Sequence, residues 1–176
     1  MLTQPEKYVA SGALISADGL YRYSLWREWR GTHAGEPLGK PRSVLFVMFN
    51  PSTAQDDNPT IRRCVGFCKS WKYKRLCVVN IFAYRTTQPS DLFAFQAKGG
   101  DAVGRDNARI IAEEGRDAEL IVCAWGANAA GLRLHTDTVR GWLHGKKHYA
   151  LGFTKGGEPR HPLYAPLNLP LVPMPD

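Results

Sequence analysis

The side chains best suited to chemistry in this chain recur at the ends of apolar runs. Asn50 follows Val44-Leu45-Phe46-Val47-Met48-Phe49 and leads into Pro51, Ser52 and Thr53. Asn80 stands near the end of Leu76-Cys77-Val78-Val79-Asn80-Ile81-Phe82. Trp125-Gly126 closes Leu120-Ile121-Val122-Cys123-Ala124, and Lys155, Arg160 and His161 follow His148–Phe153. An asparagine amide offers a donor and an acceptor together, which suits the edge of a pyrimidine. A neutral histidine donates one hydrogen bond to an oxygen that is becoming an anion. Asn50 can orient a water through its carbonyl, but it takes no proton at neutral pH. The hydroxyls of Ser52 and Thr53 and the cations of Lys155 and Arg160 suit phosphate. Plainer roles stand beside these. A strand-end asparagine forms turns, a loop histidine is held by backbone, and Asp56 and Asp57 serve as bases or as helix caps.

The elements that must carry these groups follow from hydrophobic patterning. Unbroken apolar runs fit strands buried on both faces, as in a parallel sheet. Pro51 ends the first, because proline has no N–H for a ladder. Asn58 and Pro59 open a helix as cap and first residue, and Ile61, Cys64, Val65, Cys68 and Trp71 repeat at helical spacing. Ser90-Asp91 opens a short helix. Asp101 is expected to cap another through about Glu114, with Val103, Ala108, Ile110 and Ile111 as candidate core. A third follows Ala127-Asn128-Ala129 and ends before Gly145. Strand, helix, strand, helix, strand, helix, strand implies parallel pairing through right-handed crossovers, with helices on both faces. All four strand ends then share one edge, the usual place for ligands in open α/β sheets.

Around this core, Gly12 to Arg30 reads as a β-hairpin turned by Ala17-Asp18-Gly19. Thr32 to Arg42 reads as a mobile loop, and the proline-rich tail 167–176 as irregular. The expectation is a single α/β domain over 1–176: hairpin 12–30, core 43–166 and tail.

With 176 residues, 44% hydrophobic and 22% charged, the composition is that of a soluble globular protein. No apolar run approaches the roughly 18 residues that cross a membrane, so no membrane partner is expected. The amino terminus lacks a signal pattern, which makes a cytoplasmic location the default. A formal charge of +7 favours polyanionic partners, nucleic acid above all. Cys64, Cys68, Cys77 and Cys123 include no CxxC pair, so reduced core thiols are expected, with no metal and no cofactor. No GxSxG, GxGxxG or Walker sequence occurs, which argues against those hydrolase and nucleotide-binding classes.

In this order the motifs resemble those of the uracil-DNA glycosylase superfamily, over about Val44 to Pro166. Its Asp-Pro or Asn-Pro loop after the first strand is matched by Asn50-Pro51, and its base-reading asparagine by Asn80. Its Trp-Gly pair is matched by Trp125-Gly126, and its late His-Pro by His161-Pro162. Met48 stands where that superfamily usually has glycine, and Leu163 where serine commonly follows. The chain also resembles a bacterial and phage family catalogued as domain of unknown function 1643.

The resemblance implies a three-layer α/β/α sandwich around a four-stranded parallel sheet. It implies Asn50 and His161 as catalytic groups, and Asn80 with Phe49, Tyr84 or Trp125 at the base. The activity implied is cleavage of an N-glycosidic bond in DNA. Two other readings compete: a nucleic-acid-binding module without chemistry, and an enzyme acting on a free nucleotide or nucleoside.

Overall fold

A computed structural model of the chain describes residues 8–29, 41–53, 57–143 and 145–175. Most of the expected loop 32–42, and Asp56, lie outside the described residues. The fold is mixed α/β, built on one sheet in the order β1-β2-β4-β3-β5-β6-β7. The strands are β1 (Ala10–Ile15), β2 (Arg22–Glu28), β3 (Ser43–Met48), β4 (Arg75–Asn80), β5 (Leu120–Cys123), β6 (His148–Ala150) and β7 (Val172–Pro173). The central four, β4-β3-β5-β6, pair in parallel. They are the four apolar runs of the sequence, and β3 is buried along its whole length.

The sheet is wider than the four strands expected from sequence. The hairpin does not stand beside the core: β2 pairs antiparallel with β4, Leu25 opposite Val78. The tail is not wholly irregular either, because Val172 pairs with Ala150 of β6. Both additions satisfy backbone groups that the outer parallel strands would otherwise leave open.

Among the described residues, four α-helices cover the two faces unequally. α1 (Pro59–Ser70) packs Ile61, Cys64, Val65, Phe67 and Cys68 against Val44, Phe46 and Met48. On the other face lie α2 (Pro89–Ala97), α3 (Asn107–Asp117) and α4 (Arg133–Trp142), over Leu45, Val47, Phe49 and Ile121. Asn58 caps α1 as its sequence predicts, its Oδ1 accepting from the Ile61 N–H at 3.0 Å.

Asp101 does not cap a helix. Its carboxylate accepts from the N–H groups of Val103 and Gly104, making a local turn, and α3 starts only at Asn107. The four cysteines are free and buried. Burial holds the thiols in their protonated form, pushing Cys123 up to about 12. Among the described residues no helix is long and apolar enough to cross a membrane.

Candidate functional site

Crossovers decide where this sheet opens. From β3 the chain passes through α1, on one face, to β4 on one side of β3. It then passes through α2 and α3, on the opposite face, to β5 on the other side of β3. Strand order therefore reverses between β3 and β5. The loops leaving these two strands part toward opposite faces, and their carboxyl ends are the place where open α/β sheets hold ligands. Asn50-Pro51-Ser52 forms one lip and Trp125-Gly126 the other.

The first lip is tied to the loop after β4. Parallel pairing continues past the strands, with the Ile81 N–H donating to Met48 O and the Phe82 N–H to Phe49 O. Further on, the Thr86 N–H donates to Pro51 O at 3.0 Å. The Asn50 amide nitrogen donates to Thr86 O at 2.8 Å and to Pro51 O at 3.3 Å. Its donor group is therefore structural, while its Oδ1 takes no hydrogen bond among the described residues. Ser52 Oγ accepts from the Asn58 side chain at 3.2 Å, which locks this lip to the start of α1. Thr53 is exposed, and its hydroxyl meets that of Thr87 at 3.1 Å.

Asn80 is the last residue of β4 and is 4% exposed. Side chains alternate along a strand, so Asn80 shares a face with Val78, which belongs to the cluster under α1. Its amide makes no hydrogen bond among the described residues. Neither amide atom is wholly shut off from solvent, so both are open to a water or a ligand. The backbone behind it is braced by Asn107, fully buried, whose Nδ2 donates to Asn80 O at 3.0 Å and to Ile81 O at 3.1 Å.

On the second lip, Gly126 has φ +74 and ψ −173, a region open essentially to glycine alone. A Cβ there would come within 3.0 Å of His161 Cβ. Glycine thus lets the His161 loop close onto the end of β5, and the Gly126 N–H fastens it by donating to Pro159 O at 2.9 Å. From the other side Arg63 of α1 donates to Ala165 O.

His161 is half-buried, and burial lowers its pKa below the ordinary 6.5, so the ring is neutral at pH 7. Its Nδ1 accepts from the Leu163 N–H at 3.3 Å. In a neutral imidazole the proton must then sit on Nε2, which makes no hydrogen bond among the described residues and remains able to donate.

The remaining predicted residues separate. Phe49 is 4% exposed and packs on Phe82 and Phe93 in the core. Trp125 is 2% exposed, and its indole N–H donates to Glu158 at 2.8 Å. Tyr84 is half-buried with Phe95 stacked on one face, ring centres 4.1 Å apart. The two buried rings therefore have no face open to a base as the chain stands. Lys155 is exposed, and Arg160 donates to Phe153 O at 3.1 Å.

Asp57 does not stand free as a base. It binds Arg27 at 2.7 Å and accepts from the Tyr8 hydroxyl. Met48, where a glycine was noted as missing, is buried in the cluster under α1.

Sequence reasoning missed Asn107, Glu158 and Tyr164. Tyr164 is 77% exposed, its ring 5.8 Å from that of His161.

The fold defines a mixed α/β protein in which Asn50, Asn80, Gly126 and His161 stand at or just beyond the carboxyl ends of the parallel strands, where their order reverses. The chain belongs to the protein family of unknown function DUF1643, which matches residues 22–163, from the first residue of β2 to just past His161. No curated protein and no solved structure matches it.

Proposed function

We propose that the chain binds nucleic acid, receives an unstacked base between the ends of β3 and β5, and hydrolyses its N-glycosidic bond. The observation that carries this reading is the state of His161, neutral through burial, with Nδ1 occupied and Nε2–H left to donate. Breaking the bond leaves positive charge on the sugar and negative charge on the base. A neutral donor at a base oxygen favours that separation without itself being ionised. The unpartnered amide of Asn80 reads the base edge. Asn50 Oδ1 holds the attacking water, whose oxygen bonds to the sugar carbon as the base departs with the bonding electrons.

Asn50 cannot accept the proton that the water loses; that proton passes through solvent to the departed base anion, which leaves neutral, so rate comes from positioning and electrostatics. Extracting a base from a duplex costs a few kcal/mol. Exposed Tyr164 can stack on a neighbouring base to offset part of this. Lys155 and Arg160, with Ser52 and Thr53, contact the backbone phosphates.

One observation favours a second reading, a binding module without turnover. The lip offers an amide at Asn50, and the nearby carboxylate of Asp57 is already paired with Arg27. A panel of oligonucleotides, each with one altered base, separates the two. The enzyme reading expects alkali-labile breaks from at least one oligonucleotide, lost in Asn50→Ala and His161→Ala. Salt-dependent binding with no abasic product from any base would establish the module instead. Cleavage that persists unchanged in both variants would remove these residues from the mechanism.

A further inference from the structure

Beside the first lip lies a concentration of arginines that the functional reading above does not use. Tyr21 bridges Tyr84 across the end of the hairpin, the Arg22 N–H donates to Ala83 O, and the Arg85 N–H donates to Leu20 O. This pairing brings Arg22 and Arg85 together, with Arg27 further along β2. Arg22 is 6% exposed and Arg27 7%. Burial, then the charges of Arg85 and Arg27, pull the Arg22 guanidinium down to about 10, so the three cations sense one another through a poorly screened interior. Asp57 is bonded to Arg27.

Arg85 is the outermost of the three. Its Nη1 donates to Gly19 O at 2.9 Å and its Nη2 to Thr53 O at 3.0 Å. Each of these nitrogens carries a second proton, and its buried Nε has no partner. The same Thr53 joins its hydroxyl to that of Thr87. A guanidinium with protons to give and two touching hydroxyls beside it form the kind of donor set that oxyanions select.

We propose that Arg85, with the Thr53 and Thr87 hydroxyls, binds a phosphate group. The site abuts Asn50 through the bond from its amide to Thr86 O, one residue before Thr87. It therefore sets a phosphate next to the base position, and this placement rests on the functional reading above. The shared chemistry is a phosphate oxyanion, either the terminal monoester of a nucleotide or an internal diester of a strand.

Calorimetric titration tests this with three probes: inorganic phosphate, a nucleoside 5′-monophosphate, and a twelve-residue single strand lacking terminal phosphates. Parent, Arg85→Gln and a Thr53→Val/Thr87→Val double variant are compared. The parent should bind at least one probe. Preference for the monophosphate assigns a free nucleotide, and preference for the strand assigns a diester. Loss of a charge-assisted contact should weaken binding about tenfold or more in Arg85→Gln. Because Arg85 also ties the hairpin to the lip, the threonine pair decides if that variant fails to fold.

Absence of binding by every probe, or affinities within twofold of the parent in the folded variants, overturns the proposal. Its failure and that of the functional reading are distinguishable. Phosphate binding that depends on Arg85, without base release from any oligonucleotide, removes the chemistry and leaves the site. Base release that Arg85→Gln does not slow, with unchanged phosphate affinity, removes the site and leaves the chemistry.

Discussion

At the scale of single residues, function and stability meet in two half-buried groups. His161 and His148 both have pKa values lowered from 6.5, in each case chiefly by burial. Well above pH 6.5 both are essentially unprotonated in the folded and the unfolded chain. As pH falls below 6.5 the unfolded chain takes up protons first, and stability declines until pH passes below the lowered folded values. Urea unfolding should therefore give a lower midpoint at pH 5.0 than at pH 7.5. A His161→Gln/His148→Gln double variant should narrow that gap, and equal gaps in parent and variant would contradict the account. Asp18 contributes nothing in this window, since its lowered carboxyl value lies below the ordinary 3.8.

Asn107 sets a different test. Replacing it with alanine leaves the carbonyls of Asn80 and Ile81 without the donor they share, at a cost of about 2–4 kcal/mol. The melting temperature should fall accordingly. Nothing in the sequence singled out Asn107, because a helix expected from Asp101 puts it mid-helix, where an asparagine reads as a solvent-facing side chain. Its role appears only once α3 is packed against the end of β4.

At the scale of elements, the parts of the site that could be read from sequence are those governed by local rules. Apolar runs marked β3, β4, β5 and β6, and Asn58-Pro59 marked the start of α1. Their ends fixed which loops share an edge. What local rules could not supply is long-range pairing. The alternation in Tyr21–Trp26 is the same whether that strand lies beside the core or within its sheet. Only the open edge of β4 decides between them. Val172-Pro173 gives no strand signal at all, and it becomes one because β6 offers a partner. Phe49 and Trp125 are read from sequence as residues at the base, yet both are buried in the core, an outcome set by alternation past the strand ends.

Gly126 is the element-scale test of how the second lip is built. A Gly126→Ala change forces a side chain into a backbone region reserved for glycine and against His161, and it should cost about 1–3 kcal/mol. It should also shift the His161 ring resonances. Shifts absent while stability falls would mean that the glycine serves the turn alone.

Viewed whole, the molecule places its unusual features at one end of the sheet. The unpartnered amide of Asn80, the neutral imidazole of His161, the glycine-only turn at Gly126, the Arg85 side chain and exposed Tyr164 all lie around the carboxyl ends of the parallel strands. The opposite end shows ordinary surface electrostatics. There Arg42 pairs with Glu119 at 2.7 Å with both side chains about half exposed, and Lys146 donates to backbone carbonyls of Arg116 and Ala118. Exposed pairs of that kind contribute little. The net charge of +7 could not reveal this division, since it records how many cations there are and not where they gather.

Amide-resolved NMR of the parent chain, titrated with a short single-stranded oligonucleotide, tests the central claim most directly, because it reports location before any chemistry is assumed. The account predicts shifts at the side-chain amides of Asn50 and Asn80, the Gly126 N–H and the His161 ring, with those around Arg42 and Lys146 unmoved. Shifts confined to the Arg42 and Lys146 end, with Asn50, Asn80, Gly126 and His161 silent at saturation, would contradict it.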